Sequence, residues 1–181
     1  MASKDKPTLV MKDVVCPNCG SLIRIEESEE QTCPACKTRY AYRPEINIVP
    51  QLVFERGSRN PFVYEVNANV LLGRDSQGFV ILSYADYDAI REYPNIRSNY
   101  VSGTHARISV DKSYEIPKGN RDIVCRLRCT IEDDLTLNGT MVNGDLLKPG
   151  EVKELANNDV IILAPKSRRA VRITFKEKMV A

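Results

Sequence analysis

Apolar and polar residues alternate with period two along most of the chain beyond Ile46. The plainest case is Ile123, Cys125, Leu127, Cys129 and Ile131, which interleave with Val124, Arg126, Arg128, Thr130 and Glu132. A β-strand points successive side chains to opposite faces, so this segment predicts a strand with one buried side. The same alternation runs through 171–175 and more loosely through 63–70, while 160–163 (VIIL) is a continuous apolar run expected of a covered strand. Asn-Gly, Pro and Asp-rich turns separate these short segments, a pattern that favours a β-sandwich. Only residues 83–93, SYADYDAIREY, read as helical, with Pro94 as the stop.

The N-terminal part has a different pattern. Cys16-Pro-Asn-Cys19-Gly and Cys33-Pro-Ala-Cys36 are two CxxC pairs separated by thirteen residues. In each, the proline fixes φ, and Gly20 tolerates a left-handed backbone, so each pair can present two sulfurs from a tight turn. Two such turns complete a tetrahedral four-thiolate site, and the strand-like Leu22, Ile23 and Ile25 between them complete the pattern of a zinc ribbon. A segment of about 25 residues has too little core to fold alone, so a structural Zn2+ held by Cys16, Cys19, Cys33 and Cys36 is expected to supply the stability. A closed four-thiolate site leaves no position for a substrate, which makes it structural and not catalytic. Two disulfides are the competing reading, disfavoured inside a cell. An iron site of the rubredoxin kind also uses CPxC turns and stays open beside zinc. Cys125 and Cys129 share one strand face about 13 Å apart at ~3.3 Å per residue, too far to bridge, and read as small buried apolar groups.

Composition narrows the function. The 181 residues are 43% apolar and 28% charged, lack tryptophan and carry a formal charge of +2. No apolar run approaches the roughly 18 residues of a membrane span, and the first residues, MASKDKPTLVMKD, lack the apolar stretch of a secretory signal. A cytoplasmic protein without a membrane partner is therefore expected. Zinc with four thiolates, about −4 against +2, brings the charge near zero, which gives no general case for nucleic acid. The basic C-terminal residues Lys166, Arg168, Arg169, Arg172, Lys176 and Lys178 partly alternate with apolar ones and read as a solvated strand face. The acidic EESEE within the ribbon would repel phosphates.

The single histidine, His105, lies three residues after Ser102. A serine hydrolase raises its nucleophile on a strained turn and orients the histidine with a third group. No GxSxG elbow is present, so catalysis is not expected. Three loops taken together point elsewhere: Leu71-Leu-Gly73-Arg74, Val101-Ser102-Gly103-Thr104-His105-Ala106, and Leu135-Thr-Leu-Asn138-Gly139-Thr-Met-Val-Asn-Gly144. In that order they resemble the GR, SxxH and NGTxVNG motifs of the forkhead-associated (FHA) domain. The later ELANNDVIIL resembles the segment where that family has a Gly-Asp pair, here Asn158-Asp159.

The resemblance, over residues 62–176, implies a mainly β protein: an FHA β-sandwich of about eleven strands preceded by the four-cysteine ribbon. It also implies loops at one end that bind a phosphothreonine peptide. Arg74 would offer a permanently charged fork of donors to the phosphate and Ser102 a hydroxyl. Gly103 and Thr104 would lie in the same loop, while Asn138, presented by a turn through Gly139, would read the peptide backbone. Gly73 and His105 would support the loops without touching phosphate. An apolar notch for one methyl group, worth about 1–3 kcal/mol, would favour threonine over serine.

Two positions depart from the family. Gly103 stands where Arg, Lys or Asn often adds a phosphate contact, and Leu137 where Thr or Ser is frequent. Each lost charge-assisted contact weakens binding by about 1.5–3 kcal/mol, with Asn99, Thr104 and Arg107 as candidate compensators. The segment between Gly73 and Ser102 is longer than the family's and is read as a solvent-facing insertion.

The expected organisation is a zinc ribbon at 14–42, a linker and first strand at 43–61, and the FHA sandwich at 62–178. The two modules in one small chain resemble crenarchaeal regulatory adaptors, which implies repression of archaellum expression with a von Willebrand type A domain partner. The preferred function is a non-enzymatic phosphothreonine-binding signalling adaptor downstream of a Ser/Thr kinase. A phosphate-independent interaction scaffold and a zinc-ribbon nucleic-acid binder are the alternatives.

Overall fold

The alternation along residues 122–133 becomes a twelve-residue strand in which every second side chain, from Ile123 to Asp133, is buried. The computed structural model describes residues 13–26, 29–57, 59–84 and 87–180, and among these every regular element is a β-strand. The N-terminal residues 1–12 and two positions of the acidic EESEE, 27 and 28, lie outside the described ones. In chain order the strands are β1 (Asp13–Val15), β2 (Leu22–Arg24), β3 (Glu30–Thr32), β4 (Arg39–Arg56), β5 (Arg59–Glu65), β6 (Val70–Arg74), β7 (Val80–Tyr84) and β8 (Tyr87–Glu92). There follow β9 (Ala106–Glu115), β10 (Asp122–Asp133), β11 (Thr140–Val142), β12 (Asp145–Leu146), β13 (Val152–Glu154), β14 (Val160–Leu163) and β15 (Val171–Met179).

The chain divides into two compact units, Met1–Asn47 with Ser113–Arg126, and Ile48–Lys112 with Leu127–Ala181. Strand β4 thus supplies residues to both, and residues 43–56, within the segment read as linker and first strand, are all strand.

In the first unit β1 pairs β2, and β3 pairs the start of β4. Val14, Ile23, Ile25 and Tyr40 pack with Cys16, Cys33 and Ile123 into a small core, and Tyr42 meets Tyr114 edge-on at 5.9 Å between centroids. The Ala41 N–H donates to the Arg121 carbonyl at 2.8 Å, and Arg126 pairs with Glu115 at 3.3 Å. A ribbon this short is poor in apolar residues, so it completes its core with residues from the β9–β10 hairpin, far along the chain.

The second unit is the sandwich. One layer runs β12-β11-β14-β15-β4 with β5 also paired to β4, and the other runs β8-β7-β6-β9-β10 with β13 also paired to β10; β4 pairs β10 as well, so the two layers belong to one continuous hydrogen-bonded path. Inward side chains from both layers form one core that includes Leu52, Phe54, Leu72, Ile108, Ile131, Leu163 and Phe175. Arg74 closes β6, and Ser102 and Asn138 lie in the loops that lead into β9 and β11, where backbone released from the sheet can face a ligand.

One expectation fails. Residues 83–93 do not form a helix: Ser83 and Tyr84 end β7, the chain returns as β8, and only residues 85 and 86 lie outside the described ones. Strand β7 already pairs β6 through Val70↔Tyr84 to Arg74↔Val80, and its free edge then templates β8 through Ser83↔Arg91. An available sheet edge outweighs a weak local helical preference. The added segment thus extends one layer by a strand.

Ile123 is fully buried in the core of the ribbon unit, so Ile123→Ala is expected to destabilise that unit by roughly 2–5 kcal/mol. Limited proteolysis should then cut within residues 14–42 while leaving the sandwich intact.

Candidate functional site

Backbone contact, before any side chain, brings the three motif loops together. The Arg74 N–H donates to the Ser102 carbonyl at 3.1 Å. A Cβ on Gly73 would stand 1.9 Å from the Gly103 carbonyl oxygen, so only glycine lets the two segments approach this closely. The third loop joins through His105, which is fully buried. Its backbone N–H donates to the Leu72 carbonyl at 2.7 Å, and its carbonyl accepts from the Asp134 N–H at 2.9 Å. Its Nδ1 accepts the Ser102 backbone N–H at 3.0 Å, and Nε2 lies 2.8 Å from the Gly139 carbonyl. An acceptor at Nδ1 and a carbonyl at Nε2 assign the neutral Nε2–H tautomer. His105 therefore bonds the backbone of Ser102 and does not face its hydroxyl as a general base would.

The turn that carries Asn138 has its own support. Asp133 is buried, and its carboxylate accepts from the Thr136 N–H at 3.0 Å, the Thr136 hydroxyl at 2.8 Å and the Thr140 hydroxyl at 3.1 Å. The Thr136 Oγ1 in turn accepts the Gly139 N–H at 3.0 Å. Gly139 has φ +70°, which favours glycine, and lies against the end of the Leu146 side chain. Sequence reasoning did not single out Asp133, Thr136 or Thr140. The signal was present, because Asp133 continues the inward phase of Cys129 and Ile131 on β10, and a carboxylate there must find donors.

The groups left facing outward define the chemistry. Arg74 is half-buried and donates through one terminal nitrogen to the Asp75 carbonyl at 3.2 Å. Its Nε is buried and meets no acceptor among the described residues. The Asn138 amide nitrogen donates to the Tyr100 carbonyl at 2.8 Å, which orients the amide. Gly103 and Thr104 are exposed beside the half-buried Ser102, while Leu137 is 99% exposed. Of the candidate compensators, Asn99 is exposed beside Gly78, and Arg107 is exposed on β9 opposite Leu71. Asn158, in place of the family's Gly, has φ 74°, a conformation that asparagine tolerates better than most residues.

The four cysteine sulfurs of the first unit lie within 4.8 Å of one another, and all four thiols are free. The two turns are built alike. The Cys16 N–H donates to Ser21 and the Gly20 N–H to Cys16, while the Cys33 N–H donates to Thr38 and the Lys37 N–H to Cys33, at 2.8–3.0 Å. Gly20 and Lys37, each just after the second cysteine of its pair, have φ 78° and 61°. Backbone N–H groups of Asn18 and Cys19 reach the Cys16 sulfur, and those of Cys36 and Ala35 reach Cys33. The Asn18 amide and then the Thr38 hydroxyl hold the Cys36 thiol down to about 5. Tyr40 lies 3.1 Å from the Cys16 sulfur, and that bond pushes its phenol up to about 12. Donors aimed at sulfur favour the thiolate at Cys16 and Cys36; at Cys33 the Cys36 backbone N–H acts in the same sense, but burial and the neighbouring Cys19 and Cys36 sulfurs outweigh it and push the thiol up to about 11, so a metal ion held by the four sulfurs would displace that proton.

A two-layer β-sandwich with Arg, Ser and Asn converging at strand ends defines a loop-based recognition module. The family model of the FHA domain matches residues 70–164, just over half of the chain, and the chain belongs to that family. No curated protein matches it. It is similar to the yeast Pml1 splicing factor, solved with its integration into the RES complex, at 19% identity and TM-score 0.54, over 76% of this chain and 85% of that one. Full-length yeast Pml1p aligns at 19% identity and TM-score 0.51, over 72% and 83%. The FHA domain of CT664 protein from Chlamydia trachomatis aligns at 16% identity and TM-score 0.43, over 71% and 96%. These likenesses are of fold.

Gly73→Ala is expected to force the 73–74 and 102–103 segments apart and lower the melting temperature of the sandwich, as calorimetry would show. Lys37→Gly should raise the stability of the metal-loaded ribbon by about 1 kcal/mol, because glycine adopts a left-handed φ without steric cost; chemical denaturation would measure it.

Proposed function

We propose that the chain is a phosphothreonine-peptide-binding adaptor and not an enzyme. The observation that carries this reading is Arg74: its half-buried guanidinium is held beside the Ser102 loop and spends one terminal nitrogen on the Asp75 carbonyl, which leaves the other terminal nitrogen without a partner among the described residues and available to an anion. A phosphate dianion supplies several strong acceptors in one group. Ser102 adds a neutral hydroxyl, and Asn138, with its nitrogen committed to Tyr100, keeps its carbonyl oxygen for the N–H of an extended peptide. Gly103 and Thr104 lie exposed in the same loop. Gly73 and His105 hold the loops and do not touch the ligand.

The cysteine cluster is assigned to structural zinc. A tetrahedron with Zn–S near 2.3 Å sets sulfurs about 3.8 Å apart, and two of the pairs lie at 3.5 and 3.7 Å. Cys16, Cys19, Cys33 and Cys36 fill all four positions, so the ion would supply folding energy and no open site. Within a cell the partner would be a protein phosphorylated on threonine by a Ser/Thr kinase in the cytoplasm. The pairing of ribbon and FHA domain resembles that of the crenarchaeal archaellum regulators, so the proposed partner carries a von Willebrand type A domain.

A second reading has a specific observation in its favour. Gly103 offers no side chain and Leu137 offers an apolar one where phosphate contacts are frequent in the family, and Leu137 projects fully into solvent. Phosphate-independent capture of a partner would use the same loops.

Calorimetric titration with a degenerate phosphothreonine library and its unphosphorylated counterpart separates the two readings. Phosphate-dependent binding that falls at least tenfold in Arg74→Ala is the expected result. Equal binding of both libraries, unchanged in Arg74→Ala, would establish the scaffold instead.

A further inference from the structure

Strand β8 and the residues after it, which lengthen one layer of the sandwich, carry a second group of cations. Arg91, Tyr93 and Asn95 border an open recess of about 580 Å3 together with Asp75, Gln77 and Phe79. Asn95 also borders an adjoining recess of about 300 Å3, shared with Arg56 at the end of β4 and Arg59 at the start of β5. Arg97 pairs with Phe79 through the backbone and places its guanidinium over the Phe79 ring, 4.8 Å from the centroid. Four arginines thus gather around two adjoining recesses, and none of them forms an ion pair among the described residues. Two are held by neutral groups: Arg56 is half-buried and donates to the Asn60 and Pro94 carbonyls at 2.6 and 3.5 Å, and Arg97 donates to the Gln77 carbonyl at 3.2 Å. The nearby acids are engaged elsewhere. Asp75 accepts the Gln77 and Phe79 N–H groups, both at 2.9 Å, and Glu55 pairs with Arg172 at 2.8 Å. Glu92 follows Arg91 on β8 and so points to the opposite face. Like charges gathered without a counter-ion repel one another, and an anion relieves that cost.

We infer that these recesses bind a single-stranded nucleic acid, with its phosphates on the arginines and its bases on planar side chains. The inference goes beyond the function proposed above and uses none of the residues assigned there to the phosphopeptide. Charge alone would serve any polyanion, so the planar groups decide the class. Tyr93 is 46% exposed at the edge of the larger recess, and Arg97, lying over Phe79, offers the outer plane of its guanidinium. Bases stack on aromatic rings and on arginine planes, whereas a run of acidic side chains has no use for either. Gln77 and Asn95 are exposed among these cations, and each carries both a donor and an acceptor, as the edge of an unpaired base requires. The formal charge of the whole chain, +2, is not what a strand would meet. The local field of unpaired guanidinium groups attracts its phosphates.

The test is fluorescence anisotropy of the full chain with labelled oligouridine and oligodeoxythymidine of about twelve nucleotides, long enough to span a site of this kind. Binding of either strand is expected, weakened about fivefold or more in Tyr93→Ala. In Arg59→Ala and Arg91→Ala the dependence of affinity on salt should become shallower, because each variant removes one phosphate contact. All three side chains are exposed, and melting curves that match the parent would show the fold intact. Arg74→Ala should bind as the parent does, which separates this surface from the phosphopeptide site. Absence of binding to both strands at low salt overturns the inference and leaves the phosphopeptide reading standing. Binding that Arg74→Ala abolishes while the other three variants keep it overturns the inference too, by placing the strand on the phosphate loops. Polyglutamate that displaces the strand as readily as unlabelled oligonucleotide does would also overturn it, by showing a general anion surface.

Discussion

The imidazole of His105 is the interaction on which the binding end depends. It is buried, and each ring nitrogen meets a backbone group, the Ser102 N–H on one side and the Gly139 carbonyl on the other. Away from water, the Ser102 N–H would cost free energy if left alone, while the Gly139 carbonyl also accepts the Ala164 N–H at 3.0 Å. A neutral imidazole is the side chain that offers an acceptor and a donor at opposite ends of one rigid ring, so it bridges the Ser102 N–H and the Gly139 carbonyl, which do not meet directly. Its own N–H and carbonyl bind Leu72 and Asp134, which adds the strand before Arg74 and the turn before Asn138 to the same knot. The histidine that looks from its spacing like a partner for a serine nucleophile is a brace.

This arrangement decides which atoms remain for a ligand. Ser102 spends its N–H on His105 and its carbonyl on the Arg74 N–H, leaving the hydroxyl. Asn138 spends its amide nitrogen on Tyr100, leaving the oxygen. Arg74 spends one terminal nitrogen on its neighbour's carbonyl and keeps Nε without a partner among the described residues. One charged donor, one neutral donor and one acceptor are enough to distinguish a phosphoresidue in an extended chain from an unmodified one. They form a sparse set, however, and Gly103 adds nothing to it. The affinity of such a site depends on what the rest of the peptide touches.

Much of this was legible in the sequence because glycines and period-two alternation report backbone geometry directly. Gly73 and Gly139 are fixed by a close approach and a positive φ, and the buried phase of β10 follows its alternation from Ile123 onward. The paired CxxC turns likewise place four sulfurs together without any long-range inference. What could not be read were properties set by distant partners. Residues 83–93 carry a helical composition, and only the free edge of β7 makes them a strand. Ile123 looks like any inward residue of a sandwich strand, and only the tertiary fold assigns it to the ribbon core. Asp133 sits at the end of a buried run, and its role depends on two threonine hydroxyls reaching back to it.

Order and recognition are carried by different atoms at this site. The loops are positioned by backbone hydrogen bonds, two glycines, one histidine and one aspartate, none of which needs a ligand to be satisfied. The side chains proposed to meet a ligand are those of Arg74, Ser102 and Asn138. Changes at the positions beside them, such as Gly103 and Leu137, therefore leave the scaffold unharmed while altering what it binds. A fold built in this way can change what its loops bind without passing through an unstable intermediate.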